Sequence, residues 1–274
     1  FTFATDWLGV FVEETNALNV YPVPDGDTGT NMHLTMQSVR RQLADSAPDD
    51  MEGVARALSY GSLLGARGNS GVILSQILKG FAESIRGNGR LSGADLAEAL
   101  AAGSESAYAA VMIPVEGTIL TVVREASEAA ERRFTAGHDG EEELDAEAVT
   151  PLDLMNLAVD AGRASLARTP ELLPILKQAG VVDAGGHGLV RLFEGVIAYF
   201  EGSPLPAKPT IVHRAQQQFE EEEFGFCTEF LLADVEVPTQ HIRDLVAPYG
   251  DSLLVVGAEG FVKGHIHTEE PEKL

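Results

Sequence analysis

Pro24-Asp25-Gly26-Asp27-Thr28-Gly29-Thr30-Asn31-Met32 places two carboxylates one residue apart in a glycine-rich loop, immediately before a helical pattern. Close carboxylates repel each other unless a cation lies between them, and a helix start offers free N–H groups to an anion. Hard oxygen ligands beside an anion site are typical of Mg²⁺, which binds through one or two carboxylates together with substrate phosphates. The stretch therefore predicts a metal–phosphate site at a helix start.

The alternative interpretation of this loop is an Asx-type turn in which an aspartate caps the following helix. Asp25 and Asp27 alone would favour that alternative. The continuation supplies more small polar groups than a cap needs, which favours the metal–phosphate interpretation. The residues predicted to contact phosphate here are Thr28, Thr30 and Asn31, and those predicted to hold the metal are Asn19, Asp25 and Asp27.

Outward from this loop, residues 1–200 show one helical pattern after another and no competing strand pattern. Capping residues mark several starts: Asp6 before the first helix, Ser92, and Thr150 before Pro151. The predicted helices are Trp7–Leu18, His33–Leu43, Ser70–Ile85, Ser92–Tyr108, Thr118–Phe134, Pro151–Ala167 and Gly188–Phe200. The acidic stretch Gly137–Glu147 is predicted to be an exposed loop between helices.

Three further loops carry glycine or small polar residues directly before a helix. In Gly65–Gly71 the glycines let backbone N–H groups approach a phosphate, although the P-loop ending G-K-[ST] is absent and a flexible turn is the alternative. Thr118 either contacts phosphate or only caps its helix. Asp183–Gly188 is either a fourth phosphate loop or a tight turn, with His187 expected to be a solvated loop residue. The candidate binding residues of these loops are Gly68, Asn69, Ser70, Gly71, Thr118, Asp183 and Gly185.

These four loops form one site only if they lie at the same end of the helical array. In an up-and-down array alternate loops share an end. The helix count decides whether these four do, and the sequence pattern does not fix that count.

Composition limits the classes of partner. The chain has 274 residues, 45% of them apolar, and a formal net charge of −23 that argues against binding to nucleic acid or to anionic membranes. The lone cysteine, Cys227, excludes an intrachain disulfide framework and favours a reducing compartment such as the cytoplasm. No signal peptide or apolar run of membrane-spanning length is visible, so we expect no membrane insertion. Because the chain starts without Met, we expect it to be part of a longer protein.

The sequence changes character after Phe200. A proline-rich segment, Gly202–Pro209, and a polar segment, Gln216–Glu223, precede strand patterns over Phe226–Val237, Leu253–Val256 and Phe261–His267, with a helix predicted over Thr239–Val246. His265 and His267 lie two apart on a predicted strand and so point to one face. With Cys227 they form a ligand set that suits Zn²⁺. The alternative is a buried cysteine and two unrelated histidines.

Taken together, these motifs resemble the DhaL, or DAK2-domain, family of ATP-binding kinase subunits. Within it they are most similar to the ATP-binding subunits of bacterial fatty acid kinases. The resemblance is carried by N-V-Y-P-V-P-D-G-D-T-G-T-N-M at 19–32, G-A-R-G-N-S-G at 65–71, P-V-E-G-T-I-L at 114–120 and D-A-G-G-H-G-L at 183–189. It extends to the middle domain of those kinases through F-G-F-C-T-E-F at 224–230 and V-K-G-H-I-H-T at 262–268.

The resemblance implies a mainly α N-terminal domain over residues 1–202, built as an eight-helix up-and-down bundle. A linker over 203–223 and the start of a small α/β middle domain over 224–274 follow. It also implies ATP bound with two Mg²⁺ ions, with Asp25 and Asp27 as the catalytic, metal-binding aspartates. Dihydroxyacetone kinases place a third aspartate near the position of Asn19, so the third ligand stays open. Zinc at Cys227, His265 and His267 is implied as well.

The expected function is phosphorylation of a fatty acid carboxylate, presented by a separate fatty-acid-binding carrier protein, to give an acyl phosphate. A third domain that mediates homodimerisation and contacts the carrier is expected to lie outside these residues. One alternative is a subunit of a dihydroxyacetone-type kinase. The other is a nucleotide-binding regulatory protein that transfers nothing itself.

Overall fold

The computed structural model describes residues 1–135, 149–211, 225–258 and 260–274. Its described part is mainly helical and ends in a small antiparallel sheet, which confirms the predicted fold class. The helices before residue 203 are α1 (Thr2–Val10), α2 (Val12–Ala17), α3 (Thr28–Ser46), α4 (Met51–Gly65), α5 (Gly68–Ile85), α6 (Gly93–Ala110), α7 (Ile119–Thr135), α8 (Pro151–Leu172), α9 (Pro174–Ala179) and α10 (Ala184–Glu201).

The long helices close into a ring. α1 and α2 behave as one helix broken at Phe11, because the Phe11 N–H still bonds to the Leu8 carbonyl at 3.0 Å and the Phe11 carbonyl accepts from Thr15 at 2.9 Å. With α1–α2 counted once and the six-residue α9 set aside, eight helices remain in the described residues. Each packs against the next in sequence, and α10 packs back against α1. The predicted eight-helix bundle is confirmed in this sense.

An apolar core fills the ring and receives side chains from all eight helices. Its largest fully buried side chains include Leu8, Met32, Leu58, Leu74 and Leu189. Burying a side chain of this size stabilises the fold by about 1.5–3 kcal/mol. The core therefore fixes the positions of the helix ends on which the loops sit.

The first helix begins earlier than predicted. Asp6 was expected to cap it, but α1 starts at Thr2 and the Asp6 carboxylate instead accepts a hydrogen bond from Arg40 of α3 at 2.7 Å. The reason is tertiary, because Ala4 is buried against Gly195 of α10 and this packing holds the first turn helical. The prediction for Asp6 was wrong.

Helix α4 is not among the helices predicted from the sequence. Its many small residues dilute the apolar period, although Asp50 caps it by accepting from the Gly53 N–H at 2.7 Å. Those small residues serve close packing, since a Cβ on Gly65 would collide with the Cβ of Ser38 on α3. An aspartate cap before Met51 was the signal that could have revealed this helix.

Two other predicted caps are confirmed. Ser92 and Thr150 each form a capping box with the aspartate three residues later, Asp95 and Asp153, at the starts of α6 and α8. Helix α10 starts four residues earlier than predicted, at Ala184, because Asp183 caps it, and it ends at Glu201 with Gly202 in the left-handed conformation.

The C-terminal part forms a three-stranded antiparallel sheet. Its elements are β1 (Phe226–Leu232), α11 (Thr239–Val246), β2 (Asp251–Ala258) and β3 (Phe261–Thr268), and β3 lies between β1 and β2. The first strand ends five residues earlier than predicted, at Leu232. The chain turns away there, with Asp234 at a positive φ of 54° and the Val235 N–H bonded to the Gly260 carbonyl.

The sheet packs directly on the helical bundle. Leu254 and Val256 of β2 share an apolar cluster with Leu63, Ala66, Val72 and Ala110, around the loop between α4 and α5. Val111, after α6, forms an isolated antiparallel bridge to Leu254. The end of the bundle that carries the Gly65–Gly71 loop is therefore covered by the sheet.

Three sequence expectations fall at least partly outside the described residues. These are the exposed loop Gly137–Glu147, the polar segment Gln216–Glu223 and part of the linker 203–223, so the division into domains stays a prediction. Within the described ranges, no helix combines the length and apolar character required to span a membrane.

Candidate functional site

The four predicted loops meet at one end of the ring. Two long helices separate each loop from the next, so the chain returns to the same end each time. A cavity of about 380 Å³ lies between this end and the sheet. The predicted site residues that line it are Asn19, Asp25, Asp27, Thr28, Asn31, Gly68, Asn69, Ser70, Thr118, Asp183, Gly185, Cys227, His265 and His267.

Asp27 is the N-cap residue of α3, yet its carboxylate makes no capping hydrogen bond. Two asparagines do that work instead. The Thr30 N–H donates to Asn16 Oδ1 at 3.1 Å, and the Thr28 N–H donates to Asn19 Oδ1 at 3.2 Å. The helix start is thus satisfied without Asp27, whose carboxylate lines the cavity.

Asp25 and Asp27 perturb each other's ionisation. Desolvation, followed by the charge of Asp27 and a hydrogen bond with its side chain, raises the pKa of Asp25 to about 7. Two carboxylates that share little solvent resist carrying two negative charges. A divalent cation relieves that repulsion, and the oxygen donors suit Mg²⁺, so these residues fit the predicted ion.

Asn19 is buried, and its amide is fully used within the loop. Its Nδ2 donates to the Val23 carbonyl at 2.5 Å, while its Oδ1 accepts from both the N–H and the hydroxyl of Thr28. An amide oxygen has two lone pairs, and Thr28 takes both. Asn19 would ligate a metal only by giving up one of these bonds.

The start of α5 lies against the start of α3. Gly68 has a positive φ of 54°, and a Cβ there would collide with Nδ2 of Asn31, so only glycine fits. The Ser70 hydroxyl reaches the Thr28 carbonyl at 3.5 Å. Gly68, Asn69 and Ser70 thus present the α5 start to the cavity that Asp25 and Asp27 line.

The starts of α7 and α10 are joined by one carboxylate. Asp183 is buried and accepts from the Gly186 N–H at 2.7 Å, and it also accepts from the N–H groups of Gly185 and Ile119. Burial raises the pKa of Asp183 to about 6, while those hydrogen bonds act in the opposite direction. Asp183 therefore acts as a double cap at the cavity wall. The Thr118 hydroxyl likewise caps α7, accepting from the Leu120 N–H at 3.3 Å.

Two predicted site residues do not line the cavity, and one interpretation of a histidine was wrong. The Thr30 hydroxyl accepts from Asn16 at 3.0 Å. Gly71 packs against Thr35 of α3. His187 is buried rather than solvated, with its Nδ1 2.9 Å from the Thr15 hydroxyl, because it lies in the first turn of α10 facing α2.

The Cys–His cluster forms as the strand pattern predicted. Cys227 of β1 lies opposite His267 of β3, and His265 shares their face. Their ligand atoms all lie within 4.8 Å of one another, with Cys227 Sγ 3.9 Å from Nδ1 of His265. Nε2 of His265 is buried and has no hydrogen-bond partner among the residues that the structure describes. One thiol and two imidazoles fit a Zn²⁺ site with an open fourth position.

The Cys–His cluster and the aspartate loop act on each other electrostatically. Burial raises the pKa of Cys227, and the negative charges of Glu229, Asp27 and Asp25 raise it further. Desolvation and the neighbouring His267 lower the pKa of His265 to about 4. Two constellations that the sequence presents separately therefore line one cavity.

Comparison with known protein families supports this arrangement. Residues 22–198 match the model of the DAK2 domain, which is well over half of the chain. The chain belongs to the DAK2-domain family. Residues 223–274 match a second model, the FakA-like middle domain of fatty acid kinases. The family resemblance inferred from the motifs is confirmed.

Curated relatives extend the match over almost the whole chain. Protein YloV of Bacillus subtilis (strain 168) is 45% identical over 273 residues, covering 93% of this chain and 47% of its own length. An uncharacterized protein of Staphylococcus aureus (strain USA300) is 39% identical over 274 residues, covering 94% of this chain and 48% of its own length. The chain thus spans about half the length of the curated relatives it matches.

The junction between the DAK2 domain and the middle domain contains functional candidates that the sequence motifs did not reveal. Glu229 of β1 accepts from Arg67 at 2.8 Å and from the Gly68 N–H at 3.0 Å. Lys263 of β3 is buried, and its ammonium lies 3.5 Å from the Glu229 carboxylate. The alternating side of β1 that carries Cys227 also carries Glu229, and that periodicity was the available signal.

Proposed function

We propose that this chain is the ATP- and Mg²⁺-dependent subunit of a kinase that phosphorylates a fatty acid carboxylate presented by a separate fatty-acid-binding carrier protein. The observation that carries the proposal is the single cavity lined by Asp25, Asp27, four helix starts and the Cys–His cluster. The two family models that together cover both sides of this cavity support it.

In this proposal, the DAK2 domain supplies the nucleotide half of the site. Asp25 and Asp27 hold the Mg²⁺ ions, with Asn19 as a third ligand if it releases Thr28. Thr28, Asn31, Gly68, Asn69, Ser70, Thr118 and Gly185 present helix-start groups to the ATP phosphates, and Thr30, Gly71 and Asp183 hold those starts in place. When bound, Mg²⁺ neutralises phosphate charge, which matters in a chain of net charge −23.

The chemistry of the acceptor explains why no general base stands out. A fatty acid carboxylate has a pKa near that of Glu, about 4.3, and is already ionised near pH 7. The hydroxyl of dihydroxyacetone would have to lose a proton to a base, so a dihydroxyacetone-type kinase fits less well. The match of residues 223–274 to the middle domain of fatty acid kinases favours the carboxylate acceptor as well.

The middle domain supplies the other half of the site in this proposal. Cys227, His265 and His267 would hold Zn²⁺, which when bound adds positive charge to a cavity otherwise dominated by aspartates. We propose that the acyl carboxylate enters from this side, delivered by the carrier. A homodimer formed through a further domain and a cytoplasmic location are parts of the same proposal.

The test is fatty-acid-dependent release of ADP. Oleate bound to a fatty-acid-binding carrier protein should give acyl phosphate in the presence of Mg·ATP, and Asp25→Ala or Asp27→Ala should reduce Mg·ATP affinity at least a hundredfold. ATP binding without lipid-dependent turnover would support the non-catalytic alternative. Normal Mg·ATP affinity in both variants would show that the metal assignment is wrong.

A further inference from the structure

The carboxylate of Glu229 joins the sheet to the start of α5. It receives the Gly68 N–H at 3.0 Å, the Arg67 guanidinium at 2.8 Å and the Lys263 ammonium at 3.5 Å. Lys263 also donates to the Ala66 carbonyl in the same loop. A charge-assisted cluster of this kind is stronger and better defined in direction than a neutral contact.

On the sheet side, Glu229 is part of the frame that carries the Cys–His cluster. Cys227 lies two residues earlier on β1, so the two side chains share a face, and Glu229 stands opposite His265 in the strand register. A shift of Glu229 therefore moves the cluster with it.

On the bundle side, the contact leads to the aspartate loop within two steps. Gly68 packs directly over the amide of Asn31. The Asn31 N–H donates to the Asp27 carbonyl at 2.8 Å. The chain of contacts Glu229–Gly68–Asn31–Asp27 thus connects the two halves of the cavity.

Other contacts hold the sheet on the bundle without Glu229. Lys79 of α5 donates to the Gly257 carbonyl of β2 at 2.9 Å, and Arg243 of α11 donates to the Ala110 carbonyl at 3.4 Å. The apolar cluster around Leu254 and Val256 adds to them. Loss of Glu229 would therefore loosen the β1 edge, which carries Cys227, while the sheet stays docked.

We propose that Glu229 is a positioning residue that sets the placement of the Cys227–His265–His267 cluster relative to Asp25 and Asp27. This inference rests on the proposed function, because it assigns the acyl and phosphoryl halves of the reaction to the two sides of the junction. Rates of such transfers fall steeply when reacting groups are misplaced by about 1 Å.

The experiment compares Glu229→Ala and Glu229→Gln with Lys79→Ala, a matched loss of one polar contact at the far side of the same junction. With oleate on its carrier protein, Glu229→Ala should lower kcat at least tenfold while the Kd for Mg·ATP stays within threefold of wild type. Glu229→Gln keeps an acceptor for Gly68 and should be intermediate. Lys79→Ala should keep kcat within threefold.

Hydrogen exchange gives a second readout that needs no turnover. In Glu229→Ala, exchange should rise in segments 66–71 and 225–232, and in Lys79→Ala it should not. Equal losses of kcat in Glu229→Ala and Lys79→Ala, a loss confined to Mg·ATP affinity, or unchanged exchange would each overturn the positioning role. If the wild-type chain turns over no fatty acid, the proposed function fails, and the exchange result alone decides whether Glu229 places the cluster.

Discussion

His187 illustrates how burial changes the role of a single residue. Its glycine-rich surroundings predicted a solvated loop position, but the side chain lies within the bundle and is only 6% exposed. Its Nδ1 is 2.9 Å from the Thr15 hydroxyl, and its Nε2 accepts from Arg191 at 3.3 Å. Both contacts suit a neutral imidazole that donates from Nδ1.

His187 should make the fold sensitive to acid. Burial, followed by the charge of Arg191, lowers the pKa of His187 to about 4 from its ordinary value of 6.5. The unfolded chain therefore binds a proton at higher pH than the folded chain. The stabilisation is fully present above pH 6.5 and is lost as the pH falls towards 4, by about 3 kcal/mol in total.

Urea unfolding between pH 4 and pH 7 checks this. The wild type should lose more stability on acidification than His187→Gln, and the difference between the two should grow as the pH falls. His241→Gln, which changes an exposed histidine of α11, is the control and should track the wild type. Parallel curves for the wild type and His187→Gln would contradict the pKa assignment.

At the scale of elements, the start of α3 separates two tasks that the sequence does not distinguish. Asn16 and Asn19 satisfy the first N–H groups of the helix, and Asp25 and Asp27 are left facing the cavity. A sequence pattern cannot tell which of several polar residues caps a helix, because the answer depends on how the preceding α1–α2 helix packs beside α3.

This separation predicts opposite effects for two substitutions. Asn16→Ala should cost about 1 kcal/mol of stability, the usual cost of losing a helix cap, and leave the aspartates in place. Asp27→Asn should change stability by less than about 0.5 kcal/mol, because its carboxylate caps nothing and repels Asp25. Under the proposed function, it should nonetheless weaken Mg·ATP binding at least tenfold.

Urea unfolding and calorimetric titration with Mg·ATP measure the two effects. A loss of about 1 kcal/mol in Asp27→Asn would restore the helix-cap interpretation of the aspartate loop.

At the scale of the whole molecule, the sheet completes the cavity. The DAK2 domain contributes the aspartates and helix starts, and β1 and β3 contribute the cysteine and histidines. The shared apolar cluster and the Lys79 and Glu229 contacts hold the two parts together. The Cys–His cluster therefore belongs to the same site as Asp25 and Asp27 and is not remote from it.

Metal content tests this view of the cluster. The protein purified without added metal should contain close to one equivalent of zinc, and Cys227→Ser should contain less than a fifth of that, because one of three ligands is lost. Elemental analysis measures both. The helical circular dichroism of Cys227→Ser should match the wild type, since the core of the bundle does not include Cys227. Undiminished zinc in the variant would show that the metal is held elsewhere.

The sequence by itself determined the helical class, several caps, the strand pair with its Cys–His face, and the identity of the four loops. These are local properties, set by period, capping residues and glycine placement. Helix α4 is the instructive failure. Without it, the aspartate loop and the Gly65–Gly71 loop would be separated by one helix and would lie at opposite ends.

Only the tertiary structure decided that the loops share an end, that Asn16 and Asn19 cap α3, and that Glu229 ties the sheet to α5. The physical reason is the same in each case. Small residues give α4 little apolar period but close packing on α3, and hydrogen-bond partners are chosen by which elements pack together. Neither the packing nor the choice of partner is a property of any single segment.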